Sequence, residues 1–127
     1  MKVYESAEDY LESILSLRIR QGNVRSIDIA NDLNFSKPSV SIAMKKLRES
    51  GYIQVDSDGF ITLLPEGEEI AQRVYERHRL LTDLFIRLGV DPDVAAADAC
   101  KVEHDLSAET FQKIKEHVRE FVPSEDA

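Results

Sequence analysis

A chain of 127 residues with 43% hydrophobic side chains suffices for one domain or two small lobes, and no apolar run approaches the ~20 residues of a membrane span. MKVYESAEDY lacks the apolar core of a secretory signal, and a lone cysteine excludes an internal disulfide, so a cytoplasmic chain with a free or ligating thiol is expected. The net charge of −8 argues against nucleic acid at first sight, yet residues 1–64 carry 8 basic and 9 acidic side chains while residues 65–127 carry 8 and 15, so a locally basic N-terminal lobe is expected beside an acidic C-terminal one.

Taken in chain order, Ser6 reads as an N-cap, and Tyr10, Ile14 and Leu17 form an apolar stripe on a first helix that should stop near Gly22. Ser26 then caps a short second helix, and Asn34 suits a turn. Ser36 caps a third helix, with Pro38 in its first turn and Gly51 just past its end. Two helices over 26–33 and 36–50, joined by a short turn, have helix-turn-helix spacing. YIQV and FITLL follow as short strands around DSDG, a hairpin signal, and a hairpin after a helix-turn-helix makes a winged helix.

A long helix is predicted over about 66–89, striped by Ile70, Val74, Leu81, Phe85 and Leu88, with His78 inside the stripe. Asp91-Pro92 opens another helix, and Ser107 caps a last one that turns Phe111, Ile114, Val118 and Phe121 inward. PSEDA reads as a frayed tail. The expected architecture is mainly α with one small β-hairpin: a winged helix-turn-helix domain over 1–64, then an all-helical dimerisation and metal-binding domain over 65–127.

The third helix suits DNA. Its N-terminal residues Ser36, Lys37, Pro38, Ser39 and Ser41 lack bulk and can approach base edges, Lys45 and Lys46 lie further along for phosphates, and Arg25 and Ser26 open the preceding helix. The bland reading is a helical hairpin with a solvated charged face. Asp56 and Asp58 at the wing tip would repel phosphate, so the wing should add little affinity.

A second constellation carries chemistry. Cys100, Glu103 and His104 are spaced i, i+3, i+4 and share one face if DACKVEHDLS is helical. Taken singly, Cys100 and His78 read as core residues, and Asp9 and Glu12 as dipole-complementing acids of a first helical turn. If all six converge, their carboxylates, imidazoles and thiolate suit a first-row divalent metal in an octahedral or paired site. A Cys-His nucleophile or a zinc hydrolase is the enzymatic rival, without an oxyanion-hole signature, a nucleophile elbow or HExxH to support it.

SAEDYLESILSL, DIANDLNFSKPSVS, ERHRLLTDLF and DACKVEHDLS, in this order, resemble the diphtheria-toxin-repressor family of metal-dependent transcriptional repressors. The resemblance implies a winged-helix DNA-binding domain, a helical metal-binding and dimerisation domain, and, because the sequence stops early, a short form without the SH3-like domain of longer members. It implies that Asp9, Glu12, His78, Glu103 and His104 are ligands matching the manganese-type members. Cys100 instead matches the iron-type members, which have methionine where this chain has Asp9. Thr82 and Ala96 stand where the iron-type members place ancillary ligands, so that second site is expected to be absent. The expected cofactor is Mn²⁺ or Fe²⁺, with Co²⁺, Zn²⁺ or Cd²⁺ possible in vitro. The expected partners are a double-stranded DNA operator and a second copy of the chain, with no membrane and no small organic substrate. A winged-helix regulator indifferent to metal is the alternative.

Overall fold

The computed structural model describes residues 5–121, which fall into two compact units dividing between Tyr75 and Glu76. Six helices and one hairpin follow in the order α1 (Glu5–Gln21), α2 (Ser26–Leu33), α3 (Lys37–Glu49), β1 (Ile53–Val55), β2 (Ile61–Leu63), α4 (Pro65–Arg87), α5 (Pro92–Val102) and α6 (Ala108–Phe121). The mainly helical, winged-helix expectation holds. Among the described residues no helix is long and apolar enough to cross a membrane.

In the first unit, α1 buries Tyr10, Leu11, Ile14, Leu15 and Leu17 against α2, α3 and β2. Asn34 adopts the left-handed conformation (φ 57°) that turns α2 into α3, as its short polar side chain allows. Ser36 Oγ accepts from the Ser39 amide at 3.3 Å and caps α3. Val40, Met44 and Leu47 face inward from α3. The strands pair antiparallel in the register Ile53–Leu63, Gln54–Thr62, Val55–Ile61. At the wing tip, Asp56 Oδ1 accepts from the amides of Asp58 and Phe60, both at 2.9 Å, so this acid shapes the turn. Gly67, in the first turn of α4, lies against Tyr52: a Cβ there would stand 2.1 Å from the Tyr52 carbonyl oxygen.

In the second unit, Leu81, Ala95, Ala99 and Phe111 are buried. Asp91 caps α5, its Oδ2 accepting from the amides of Asp93 at 3.0 Å and Val94 at 3.3 Å. Ser107 Oγ accepts from the Thr110 amide at 3.1 Å and caps α6.

Several local expectations are corrected. Ser6 is not a cap, because α1 already includes Glu5. Ser26 is the first residue of α2, and the capping position falls to Arg25, whose amide donates to Asp28 Oδ2 at 2.9 Å. The strands are each shorter than the apolar runs that predicted them. Leu88 is 71% exposed, because α4 ends at Arg87 and the chain turns away through Gly89. The side chain of Phe121 and the tail PSEDA lie outside the described residues.

Candidate metal centre and DNA-binding surface

Glu103 organises the second unit's polar cluster. Helix α5 ends at Val102, so Glu103 and His104 belong to the turn that follows rather than to the helix. Glu103 keeps right-handed backbone angles (φ −58°, ψ −28°), and its amide still donates to Ala99 O. The expected convergence therefore survives the end of the helix: Cys100, Glu103 and His104 bring one ligand atom each to within 4.8 Å of one another. His78 joins from α4, with Nδ1 2.9 Å from Glu103 Oε2.

The Glu103 side chain is wholly buried. His104 Nε2 stands 3.5 Å from Glu103 Oε1, which accepts no hydrogen bond from any described residue. A buried carboxylate with one oxygen left in this state is costly unless a cation faces it. Cys100 is exposed, His78 is partly so, and the His104 side chain is buried. A thiol, two imidazoles and a carboxylate fit a transition-metal ion.

Arg77, next to His78, is a residue to which the sequence reading gave no role of its own. It is buried, and Nη1 donates to the carbonyl oxygens of Glu103 at 3.0 Å and Leu106 at 2.7 Å. Its guanidinium carbon lies 5.1 Å from the centre of the Phe111 ring. Arg77 thus fixes the turn that presents Glu103 and His104. An arginine beside a histidine on a long helix looks like surface in the sequence, and the receiving carbonyls have no sequence signature.

In the first unit, Asp9 and Glu12 lie half-buried on α1, one turn apart. Burial, with the Asp9 carboxylate as the smaller cause, raises the Tyr10 hydroxyl above its ordinary pKa of 10.0.

The residues expected at DNA are exposed in this unit, except Ser26, which is half-buried. Ser36, Lys37, Pro38, Ser39, Ser41, Lys45 and Lys46 are all exposed on α3 or at its start. Ser26, Lys37 and Ser41, with Ile27, line a shallow depression between α2 and α3. The Arg25 guanidinium sits 4.3 Å above the Phe60 ring, which ties it to the wing. Sequence reasoning also omitted Ile42, which is 59% exposed on α3.

Two family descriptions match consecutive parts of the chain: the iron dependent repressor N-terminal DNA binding domain over residues 2–59, and the iron dependent repressor metal binding and dimerisation domain over residues 64–124. Transcriptional regulator MntR of Salmonella typhimurium is 40% identical over 107 residues, covering 84% of this chain and 68% of that protein. The chain belongs to the iron-dependent repressor family. An HTH-type transcriptional regulator of Methanocaldococcus jannaschii is 33% identical over 120 residues, 92% of this chain and 95% of that protein. Among solved structures, IdeR of T. acidophilum superposes with a TM-score of 0.77 at 28% identity, covering 92% of this chain and 55% of that one. A manganese-dependent transcriptional repressor in complex with manganese gives 0.80 at 28% identity, covering 88% and 52%. The chain therefore spans about half the length of these solved relatives. The family is one of metal-binding, DNA-binding transcriptional regulators, so the enzymatic rival falls.

Proposed function

We propose that this chain is a cytoplasmic repressor that senses Mn²⁺ or Fe²⁺ and, as a homodimer, binds a pseudo-palindromic operator controlling metal uptake. Residues 1–64 are the DNA-binding domain, and residues 65–127 the metal-binding and dimerisation domain. The observation that carries the reading is the buried Glu103 carboxylate, with His78 Nδ1 at 2.9 Å and the ligand atoms of Cys100 and His104 within 4.8 Å, in a chain that also has a winged helix.

The proposed ligands are Asp9 and Glu12 of α1 together with His78, Cys100, Glu103 and His104. A bound divalent ion supplies the positive charge that offsets these carboxylates and the thiolate. Because the donors come from both domains, ligation fixes how the recognition helices of a dimer are presented. Two such helices then match half-sites about one helical turn apart, or a multiple of it. Arg25, Ser26, Ser36, Lys37, Pro38, Ser39, Ser41, Lys45 and Lys46 contact the duplex, the small residues at base edges and the basic ones at phosphates.

The donor set is mixed. Hard carboxylates suit Mn²⁺, while the Cys100 thiolate raises affinity for Fe²⁺, Co²⁺, Zn²⁺ and Cd²⁺. The test is fluorescence anisotropy on the duplex upstream of the protein's own gene, at fixed salt and without oxygen, with protein stripped and then loaded with Mn²⁺ or Fe²⁺. Tenfold or stronger binding with one ion, about 1.4 kcal/mol of coupling, is the expected result. Tight binding indifferent to every ion would identify a winged-helix regulator outside metal control.

A further inference from the structure

We infer that Ile42 is a specificity-determining residue that reads a thymine 5-methyl group in the major groove. The inference rests on the DNA-binding reading above and adds a base contact to it.

Val40, Met44 and Leu47 turn toward the core of the first unit, whereas Ile42, two residues from both Val40 and Met44, faces the opposite way and is 59% exposed. Around it on that outward face stand Pro38 and Ser39 one turn toward the N-terminus and Lys45 and Lys46 one turn toward the C-terminus, all exposed. Glu49 is the acid of this helix, at its C-terminal end, away from the residues that lead into a groove.

Fold stability does not explain the side chain. An exposed isoleucine buries little apolar area, and β-branching makes it a poorer helix former than the alanine or lysine that would suit a solvated face. Single exposed apolar residues are ordinary on protein surfaces. This one sits at the centre of a face whose neighbours are small or cationic, a match for polyanionic DNA. The only apolar group that base pairs present in the major groove is the thymine methyl. A branched aliphatic side chain between short residues and lysines is suited to that methyl and has no hydrogen bond to offer a competing base edge.

The test replaces thymine by uracil, which removes the methyl and keeps the hydrogen-bonding pattern. Wild-type protein loaded with Mn²⁺ or Fe²⁺ first enriches sequences from a randomised duplex pool. Each thymine of the enriched duplex is then replaced in turn, and binding is measured for wild type, Ile42→Ala and Ile42→Val. At one thymine per half-site, the replacement should weaken wild-type and Ile42→Val binding about threefold to tenfold, while leaving Ile42→Ala nearly unchanged. Equal losses in wild type and Ile42→Ala at every thymine would overturn the inference and leave the DNA-binding reading standing. Failure of the wild type to enrich any sequence with either metal would overturn both.

Discussion

The Arg77 guanidinium holds the carbonyl oxygen of Glu103 at 3.0 Å, inside the protein. One residue further along α4, His78 Nδ1 meets the carboxylate of the same glutamate at 2.9 Å. Consecutive residues of one helix thus fix both the main chain and the side chain of Glu103. In the turn after α5 the Glu103 amide donates to the Ala99 carbonyl oxygen and the Asp105 amide to that of Val102, and Arg77 adds its two contacts to this order. Arg77→Met should weaken Mn²⁺ binding about ten- to hundredfold, as loss of a supporting partner behind a ligand does. Competition titration with a fluorescent chelator reads this directly. Far-ultraviolet circular dichroism should show the helices retained, separating a loosened turn from an unfolded chain.

The thiol gives a spectroscopic prediction. Co²⁺ bound to wild type should show thiolate-to-metal charge-transfer absorption, and Cys100→Ser should abolish it. The same variant should lose more affinity for Zn²⁺ and Co²⁺ than for Mn²⁺, because a hydroxyl replaces the one soft donor of the set. Equal losses for all three ions would remove Cys100 from the ligand set.

Lys37 separates DNA contact from metal binding. It is exposed in the first turn of α3, on the helix whose residues are proposed to contact the duplex. Lys37→Ala should weaken binding roughly equally across sequences and lower the slope of log affinity against log salt by about 0.9. Its Mn²⁺ affinity without DNA should equal that of wild type. A matching loss of metal affinity would mean that Lys37 acts on the site or the fold.

Gly67 bears on stability alone. A Cβ at Gly67 would clash with the Tyr52 carbonyl oxygen, a backbone atom that cannot swing aside as a flexible side chain would. Gly67→Ala should destabilise the protein by about 1–3 kcal/mol or more despite the better helix propensity of alanine. Urea denaturation measures the loss, and a variant as stable as wild type would show that α4 can shift away from Tyr52 without cost.

Much of this organisation could be read in the residues. Asn34 between two short helices, Pro38 after Ser36, Asp91 before Pro92 and Ser107 before Ala108 each have a local physical cause, and each sits where that cause puts it. Cys100, Glu103 and His104 were legible as a group because i, i+3, i+4 spacing brings side chains together even where the last turn of helix gives way. Arg77 and Ile42 were not. Periodicity treats a charged residue as solvated and an apolar residue as core, and both departures depend on tertiary neighbours: two turn carbonyls for Arg77, and an outward face for Ile42. Ser6 and Ser26 misled for a simpler reason. Several capping-type residues stand near each helix start, and propensity does not choose among them.

The central claim is that metal binding and DNA binding are coupled through the proposed ligands, and coupling is reciprocal. The most direct measurement is Mn²⁺ affinity, by competition titration, with and without saturating operator duplex, for wild type and Glu12→Ala. The account predicts that the duplex tightens Mn²⁺ binding to wild type tenfold or more, about 1.4 kcal/mol, by the same factor that Mn²⁺ tightens duplex binding, and that Glu12→Ala loses this coupling while staying folded. Mn²⁺ binding to wild type with one unchanged affinity, whether or not the duplex is present, would contradict it.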